Sequence, residues 1–314
     1  MIQKALLLDT INQQATINFE AAGFEVVTFP KNITIPEFTE QAADVDVIGV
    51  RSGPAIPAEI IQAAPHLRAI GCYCVGTEHI DKVVAAENDV AVYNAPFDNG
   101  RSVAELVIGA TFSVMRRLQE HNRALHAGNW TKTEQLSYEL HGKTMGIVGY
   151  GNIGQQVGGM AEALGMNIAF ADITRRTPNG RATQMRFNEL LEVADVLTVH
   201  VPGGQNGPIL NNDAFARMKQ GAYVINTARA QAIDYDALAM ALDTGIVAGA
   251  ALDVFTNEPK KNGPGFVNQF QDDPRVLLTP HIGGSSQEAQ ISAANTVTAK
   301  LIEHCYEESF MANT

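Results

Sequence analysis

The chain has 314 residues, 46% of them hydrophobic and 18% charged, with a formal net charge of −12 and a pI of about 5.1. That length accommodates two domains of ordinary size, and that composition excludes a disordered chain. The acidic balance argues against a nucleic-acid or anionic-membrane surface, and no apolar run is long enough to cross a bilayer.

From the start, short β-prone runs alternate with helical ones. Residues 5–8, 25–29, 45–50, 69–71 and 91–94 read as strands, with helices over 11–22, 36–43, 57–64 and 80–87. This alternation is the pattern of parallel βαβ units, and it forms a first lobe. The first strand follows almost directly on Met1, so no secretory leader is expected. The three cysteines, Cys72, Cys74 and Cys305, lack zinc-like spacing, so reduced thiols and a cytoplasmic setting are expected. Cys72-Tyr73-Cys74 reads as small buried residues, and no metal site is expected.

Pro96 interrupts the alternation. A single long helix is predicted over 103–125, with Ser102 and Glu105 at capping-box spacing and Gly128 as its terminator. Residues 129–141 have no clean period and read as a loop or arm. A second lobe then alternates again, with strands at 166–171, 196–200, 222–226, 247–252 and 276–278. Helices are expected at 188–193, 212–218 and 235–244. Residues 257–273 read as a polar loop. A last helix, 287–307, is expected to return to the unfinished first lobe.

The second lobe opens on the stretch that organises the chain, residues 143–154. An apolar strand runs into Gly149-Tyr150-Gly151-Asn152-Ile153-Gly154, spaced G-x-G-x-x-G, and a helix follows over 155–164. In a dinucleotide-binding unit Gly149 makes the tight turn. Gly151 admits a pyrophosphate to the backbone, and Gly154 lets helix pack on strand. The diphosphate rests on unpaired N–H groups at the helix start. Alone the glycines mark only a turn. Here the next strand ends at Asp172, where a carboxylate takes the adenosine ribose hydroxyls. Asp172 favours NAD, because a 2′-phosphate meets its charge; Arg175 and Arg176, close behind, soften that preference.

In parallel sheets ligands lie beyond the carboxyl ends of strands. The stations there are Arg51, the 72–81 loop, His200-Val201-Pro202, Asn226-Thr227-Ala228-Arg229, Asp253 and Pro280-His281. An arginine at 229 can clamp a carboxylate and polarise a carbonyl, or form a surface salt bridge. Glu258 reads either as a solvated glutamate or as a partner for a histidine. A lone histidine is more often structural than catalytic. Together they suit hydride transfer: His281 exchanges the alcohol proton, and a carboxylate holds its tautomer and favours the imidazolium.

The motifs in sequence carry a resemblance. Residues 71–77 (GCYCVGT), 94–97 (NAPF), 101–105 (RSVAE), the glycine loop, 226–229 (NTAR), 251–255 (ALDVF), Glu258-Pro259 and 279–284 (TPHIGG) occur in order along nearly the whole chain. The sequence resembles the D-2-hydroxyacid dehydrogenase family, and within it the bacterial D-3-phosphoglycerate dehydrogenases. The resemblance implies an α/β chain of two doubly wound parallel-sheet domains. A Rossmann NAD-binding domain (99–285) is inserted in a flavodoxin-like substrate-binding domain (1–98 and 286–314). It implies Arg229, Glu258 and His281 as the catalytic set, Asp253 on the nicotinamide carboxamide and Val75-Gly76 on the substrate carboxylate. Cofactor contacts are expected from Gly149, Gly151, Asn152, Ile153, Gly154, Asp172, His200, Val201, Pro202, Thr227, Ala228, Asp253 and Gly283. Substrate contacts are expected from Lys31, Arg51, Ser52, Val75, Gly76 and Asn99. A homodimer through 101–141 is implied, with Leu106, Val107 and Ala110 as its apolar face and Trp130 as an anchor.

The implied reaction is oxidation of D-3-phosphoglycerate to 3-phosphohydroxypyruvate in serine biosynthesis, with NAD as cofactor. Two departures bear on it. Ala230 stands where the family usually has glycine, and Gly53 stands where the phosphoglycerate branch carries a second arginine. On this reading no C-terminal regulatory domain is expected after residue 314. A glyoxylate/hydroxypyruvate reductase is the alternative, and an NADH-sensing corepressor scaffold is one of another class.

Overall fold

The computed structural model describes residues 3–202, 207–259 and 262–311, the side chains of 308–311 excepted. The chain divides into two compact units, Met1–Asn99 with Ser285–Thr314, and Gly100–Gly284.

The first unit runs β1 (Lys4–Leu8), α1 (Gln13–Ala21), β2 (Glu25–Phe29), α2 (Ile35–Ala42), β3 (Val47–Val50), α3 (Ala58–Gln62), β4 (Ala69–Cys72), α4 (Lys82–Glu87) and β5 (Ala91–Asn94). Its five strands lie in the order β2-β1-β3-β4-β5, all parallel. Strand side chains alternate between faces, and both faces are covered. Leu6, Leu8, Phe29 and Ile48 pack with Phe38 and Ile60 on one side. Ala5, Leu7 and Val47 pack with Phe19, Val297 and Leu301 on the other. That burial on both sides is why these strands read as unbroken apolar runs. The long C-terminal helix returns here: Tyr73 and Thr298 share a buried hydrogen bond of 2.8 Å.

The second unit runs α5 (Gly100–Met115), α6 (Leu118–His126), β6 (Thr144–Val148), α7 (Asn152–Ala163), β7 (Asn167–Ala171), β8 (Thr183–Gln184), α8 (Phe187–Val193) and β9 (Val196–Val199). Then come α9 (Asn212–Arg217), β10 (Ala222–Asn226), α10 (Tyr235–Asp243), β11 (Val247–Leu252) and β12 (Val276–Leu278); α11 (Gln287–Met311) closes the chain in the first unit. The parallel sheet has the order β12-β11-β10-β9-β6-β7-β8. The chain thus builds outward from β6 in both directions, and β6 and β9 flank the switch point.

Three details depart from the sequence reading. The helix expected over 103–125 is two helices, because Arg117 adopts a left-handed φ of 51°. The buried face of α5 ends at Met115, whose carbonyl accepts the Tyr138 N–H at 3.0 Å, and α6 buries nothing. Ser102 lies inside α5 and does not cap it; its hydroxyl donates to the Gly283 carbonyl at 2.7 Å. Val107 and Ala110 are buried in the core of their own unit, against Ile147 and Tyr150, and present no face to a partner. Among the described residues no helix is long and apolar enough to cross a membrane.

Gly71 shows how tightly α11 is seated. A Cβ there would lie 2.6 Å from Leu301 Cδ1 and 2.8 Å from Val297 Cγ1. Overpacking of this kind costs about 1–3 kcal/mol. Gly71→Val is expected to lower the thermal unfolding midpoint, with Gly71→Ala intermediate. A melt of the valine variant equal to wild type would contradict the seating of α11 on β4.

Candidate active site

Strand register sets the site in the second unit. Ala171 pairs with Val148, Val148 with Val199, Val199 with Asn226, Asn226 with Leu252, and Leu252 with Leu278. Six strands therefore end in one row, and the next residues along are Asp172, Gly149, His200, Thr227, Asp253 and Thr279. The ladder continues past the strands: Gly149 N–H donates to Ala171 (2.9 Å), His200 to Val148 (2.7 Å), Asp253 to Asn226 (3.0 Å) and Thr279 to Leu252 (3.0 Å). Residues far apart in sequence are held side by side by backbone bonds alone.

At the switch point Gly149 and Gly154 are sterically constrained and Gly151 is open. Gly149 has φ 91°, and a Cβ on it would meet the His200 carbonyl oxygen at 2.6 Å. A Cβ on Gly154 would meet the Gly149 carbonyl oxygen at 2.3 Å, whereas one on Gly151 would have nothing within 4 Å. Gly151 is the N-cap of α7 and supplies no side-chain cap, so the first-turn N–H groups of Asn152, Ile153 and Gly154 have no partner in the helix. The first turn carries no acidic residue. An open backbone, uncapped N–H groups and a positive helix end fit a pyrophosphate. Two buried polar atoms in the same row, His200 Nδ1 and Thr227 Oγ1, lack a protein partner, which also suits a bound polar ligand. His200 shares a 3.0 Å hydrogen bond with Thr198, and burial lowers its pKa from 6.5 to about 4. It is therefore neutral near pH 7 and is no candidate for the acid–base role. Val201 packs on the core at the mouth of β9, and Pro202 is exposed.

Asp172 directly follows β7, and its carboxylate is committed. Oδ1 accepts from the Thr174 N–H and hydroxyl, both at 3.0 Å. Oδ2 accepts from the Tyr150 N–H at 2.9 Å and Arg176 Nε at 3.1 Å. Burial opposes ionisation here, but hydrogen bonds from Thr174, Tyr150 and Arg176 outweigh it and lower the pKa.

At the other end of the row Asp253 is 2% exposed. Its Oδ1 accepts from the Thr279 hydroxyl (2.6 Å) and the Ile282 N–H (2.9 Å), and its Oδ2 from the Gly283 N–H (2.9 Å). His281 donates its own N–H to the Asp253 carbonyl at 2.8 Å. The loop so pinned holds His281 at φ 52°, a left-handed conformation that costs on the order of 1–3 kcal/mol for such a residue. His281 Nδ1 then donates to Glu258 Oε2 at 2.8 Å, while Glu258 Oε1 accepts the Phe255 N–H at 2.9 Å. The glutamate is fixed at one oxygen and orients the imidazole with the other, leaving Nε2 directed elsewhere. The Tyr235 hydroxyl supports the same turn by donating to the Val254 carbonyl.

Arg229 follows β10 and is exposed. Its Nη1 donates to the Ala228 carbonyl at 2.8 Å, and among the described residues it forms no ion pair, so the surface salt-bridge reading does not hold there. The Asn226 side chain bridges the turn, donating to the Arg229 carbonyl (2.9 Å) and accepting the Ala228 N–H (3.1 Å).

In the first unit the strand ends carry the other residues. Arg51 follows β3 and is half-buried, with Nη1 3.4 Å from the Thr10 carbonyl. Ser52 beside it is exposed, as is Lys31 after β2; Lys31 has no ion-pair partner among the described residues. Asn94 donates to the Val75 carbonyl at 2.7 Å and the Cys74 thiol to the Gly76 carbonyl at 3.2 Å. Those carbonyls are turned toward the protein, and among the described residues neither the Val75 nor the Gly76 N–H finds an acceptor. Asn99 is half-buried at the last position of the segment.

Residues 108–283 match the model of the D-isomer specific 2-hydroxyacid dehydrogenase, NAD binding domain. The chain belongs to the D-2-hydroxyacid dehydrogenase family. It is an NAD-dependent oxidoreductase of that family. It is 40% identical over 314 residues to D-3-phosphoglycerate dehydrogenase 1 of Saccharomyces cerevisiae, covering 97% of this chain and 67% of that one. It is 42% identical over 304 residues to D-3-phosphoglycerate dehydrogenase of Haemophilus influenzae, covering 96% of this chain and 74% of that one. A glyoxylate reductase from Paecilomyes thermophila superposes with a TM-score of 0.79 at 29% identity, covering 96% of this chain and 95% of that one. D-2-hydroxyisocaproate dehydrogenase shares the fold, with a TM-score of 0.87 at 24% identity and 98% of each chain covered.

For a D-2-hydroxyacid dehydrogenase, the alanine after Arg229 is accommodated. Ala230 begins a short 3-10 turn, Ala230–Ala232, is 4% exposed, and is not in the left-handed region where only glycine is comfortable. Ser102 and Thr279 hold the His281 loop; the sequence suggests only a helix cap for Ser102 and no role for Thr279, because hydroxyl-to-loop bonds across 181 and 26 residues leave no local signal. A cavity of about 450 Å³ lies at the opposite, amino ends of the strands, lined by Lys143, Asp195, Gly221, Val247 and Arg275, and holds none of these residues.

The glycines separate fold from cofactor binding. Gly151→Ala should keep the wild-type melt yet weaken NADH binding, since its methyl would occupy the pyrophosphate's approach. Gly154→Ala should lose stability as well. Calorimetric titration and thermal melts check both, and unchanged NADH affinity in Gly151→Ala would contradict the placement.

Proposed function

We propose that the chain oxidises D-3-phosphoglycerate to 3-phosphohydroxypyruvate, the reaction of serine biosynthesis, with His281 as the acid–base group. The observation that carries the reading is the His281–Glu258 hydrogen bond of 2.8 Å, set on the strand-end row that also presents Arg229. Identity of 40% and 42% to phosphoglycerate dehydrogenases over nearly the whole chain supports the substrate. Unit Gly100–Gly284 is read as the NAD-binding domain, and Met1–Asn99 with Ser285–Thr314 as the substrate-binding domain.

When bound, NAD would supply the acceptor for the hydride lost from the substrate's C2. Its pyrophosphate is assigned to the Asn152, Ile153 and Gly154 N–H groups, and its remaining contacts to Gly149, Gly151, His200, Val201, Pro202, Thr227, Ala228, Asp253 and Gly283. Asp172 is assigned to the adenosine end. Nδ1 of His281 is engaged by Glu258, so Nε2 takes the hydroxyl proton as the C2–H bond breaks, and returns it in the reverse direction. Arg229 holds the carboxylate and polarises the C2 oxygen. In the first unit, Val75 and Gly76 are assigned as backbone N–H donors to a substrate carboxylate. Arg51 and Lys31 are the cations for the phosphate, with Ser52 and Asn99 as neutral donors.

Gly53 favours a second reading. It brings no side chain where a cation would help, and a Cβ there would have nothing within 4 Å. A charged hydrogen bond to phosphate is worth roughly 1.5–3 kcal/mol, enough for a smaller substrate such as hydroxypyruvate or glyoxylate to compete. We further infer a cytoplasmic homodimer that binds neither nucleic acid nor membrane, in keeping with the net charge of −12. Leu118, Leu125, Trp130, Leu136 and Tyr138, all exposed on α6 and the arm, are its proposed contact face.

His281→Ala is expected to lower kcat by about 10²–10⁴-fold with NADH affinity nearly kept, and Glu258→Gln by less. Near-normal turnover of His281→Ala would rule out the assignment. For the substrate, kcat/KM for phosphohydroxypyruvate should exceed those for hydroxypyruvate, glyoxylate, pyruvate and 2-oxoglutarate. Arg51→Ala should erase that advantage selectively. Equal losses on every substrate would leave only the family-level activity standing.

A further inference from the structure

We propose that the adenosine end of the cofactor site also accepts a 2′-phosphate, so that the chain binds NADPH as well as NADH, with Arg176 as the specificity-setting residue and Arg175 as its support. The inference rests on the reading of the Gly149–Gly154 loop as the dinucleotide site. An acid at the end of the second strand selects NAD in two ways: its oxygens accept the ribose hydroxyls, and its charge repels a 2′-phosphate. Both effects are blunted here.

The carboxylate of Asp172 is already saturated. Four donors fill its two oxygens: the Thr174 N–H and hydroxyl, the Tyr150 N–H and Arg176 Nε, at 2.9–3.1 Å. A carboxylate has about four lone-pair sites, so none is left over for the ribose. The Asp172 side chain is only 5% exposed, whereas that of Arg176 is 43% exposed. Solvent therefore meets the guanidinium and not the carboxylate. Arg176 uses Nε for Asp172, and among the described residues its two Nη groups have no partner. Those groups present the paired donors that match phosphate oxygens.

The guanidinium is also set on a fixed backbone. Gln184 Oε1 accepts the Arg176 N–H at 3.1 Å, and Gln184 Nε2 donates to the Thr174 carbonyl at 2.8 Å. Gln184 is held in turn by pairing with Phe170 in β7, through the two-residue strand β8. This explains why so short and polar a strand is present: it clamps the 174–176 segment at the end of β7. Arg175, next to it, is exposed and has no ion-pair partner among the described residues. Asp172, Arg175 and Arg176 together carry one negative and two positive charges, so the local balance favours a dianion.

Calorimetric titration of the full chain with NADH, NADPH, AMP and adenosine 2′,5′-bisphosphate tests the proposal without turnover. Wild type is expected to bind NADPH within about tenfold of NADH, and the bisphosphate more tightly than AMP. Arg176→Ala should weaken NADPH and the bisphosphate by on the order of ten- to a hundredfold, while changing NADH and AMP far less. Arg176→Lys should recover part of the loss, and Arg175→Ala should have a smaller effect of the same kind. Raising the salt concentration should weaken the bisphosphate more than AMP. The proposal is overturned if NADH binds but NADPH binds more than about a hundredfold more weakly. It is overturned equally if the arginine variants lower all four ligands alike. Failure of NADH itself to bind would instead overturn the assignment of the glycine loop.

Discussion

The carboxylate of Asp253 is the contact on which the rest of the proposed catalytic end depends. It is 2% exposed and receives the Thr279 hydroxyl and the Ile282 and Gly283 N–H groups. A buried carboxylate is costly unless donors surround it, and these donors all belong to one short loop. The loop is therefore held closed against the end of β11, and His281 is carried into a left-handed conformation that a histidine would not adopt unaided. Glu258 then needs only the short turn from Phe255 to reach the imidazole. Ser102 fastens the far side of the loop to the first turn of α5. The geometry of the proposed catalytic pair follows from a buried polar network, not from the packing of the histidine itself, which is half exposed.

The same economy governs the nucleotide end. Parallel pairing in register brings the six strand ends level, so the residue after each strand enters the site without further instruction. Gly149 and His200 sit so close across the switch point that a side chain on the glycine would strike the neighbouring backbone. The uncapped start of α7 is what remains open there. The candidate site is thus spread over residues that have little in common in sequence except their offset from a strand end.

This is why the strand-end placement of the candidate site's residues was readable from the sequence, and why its exceptions are instructive. Apolar runs on both faces of each sheet mark the strands, Gly149 and Gly154 mark steric constraints that any side chain would violate, and Gly151 marks the open approach between them. The row of stations after the strands follows from them. What was not readable depends on tertiary burial or on side chains meeting across the chain. The helical period continues through residues 116–117, yet the helix breaks where α5 runs out of core to cover. Val107 and Ala110 look like a partner face in sequence, but their own sheet buries them. Asp172 reads as a free ribose acceptor; Thr174, Tyr150 and Arg176 have already taken its oxygens.

The turnover of Asp253→Asn tests most directly whether a buried carboxylate organises the catalytic loop. Asparagine keeps the shape but turns one acceptor into an NH₂ donor, which then faces an N–H of Ile282 or Gly283. The variant should stay folded, and its kcat should fall by roughly 10²-fold, the loss expected when a catalytic group is displaced by about 1 Å. A kcat equal to that of wild type in a folded Asp253→Asn protein would contradict the account.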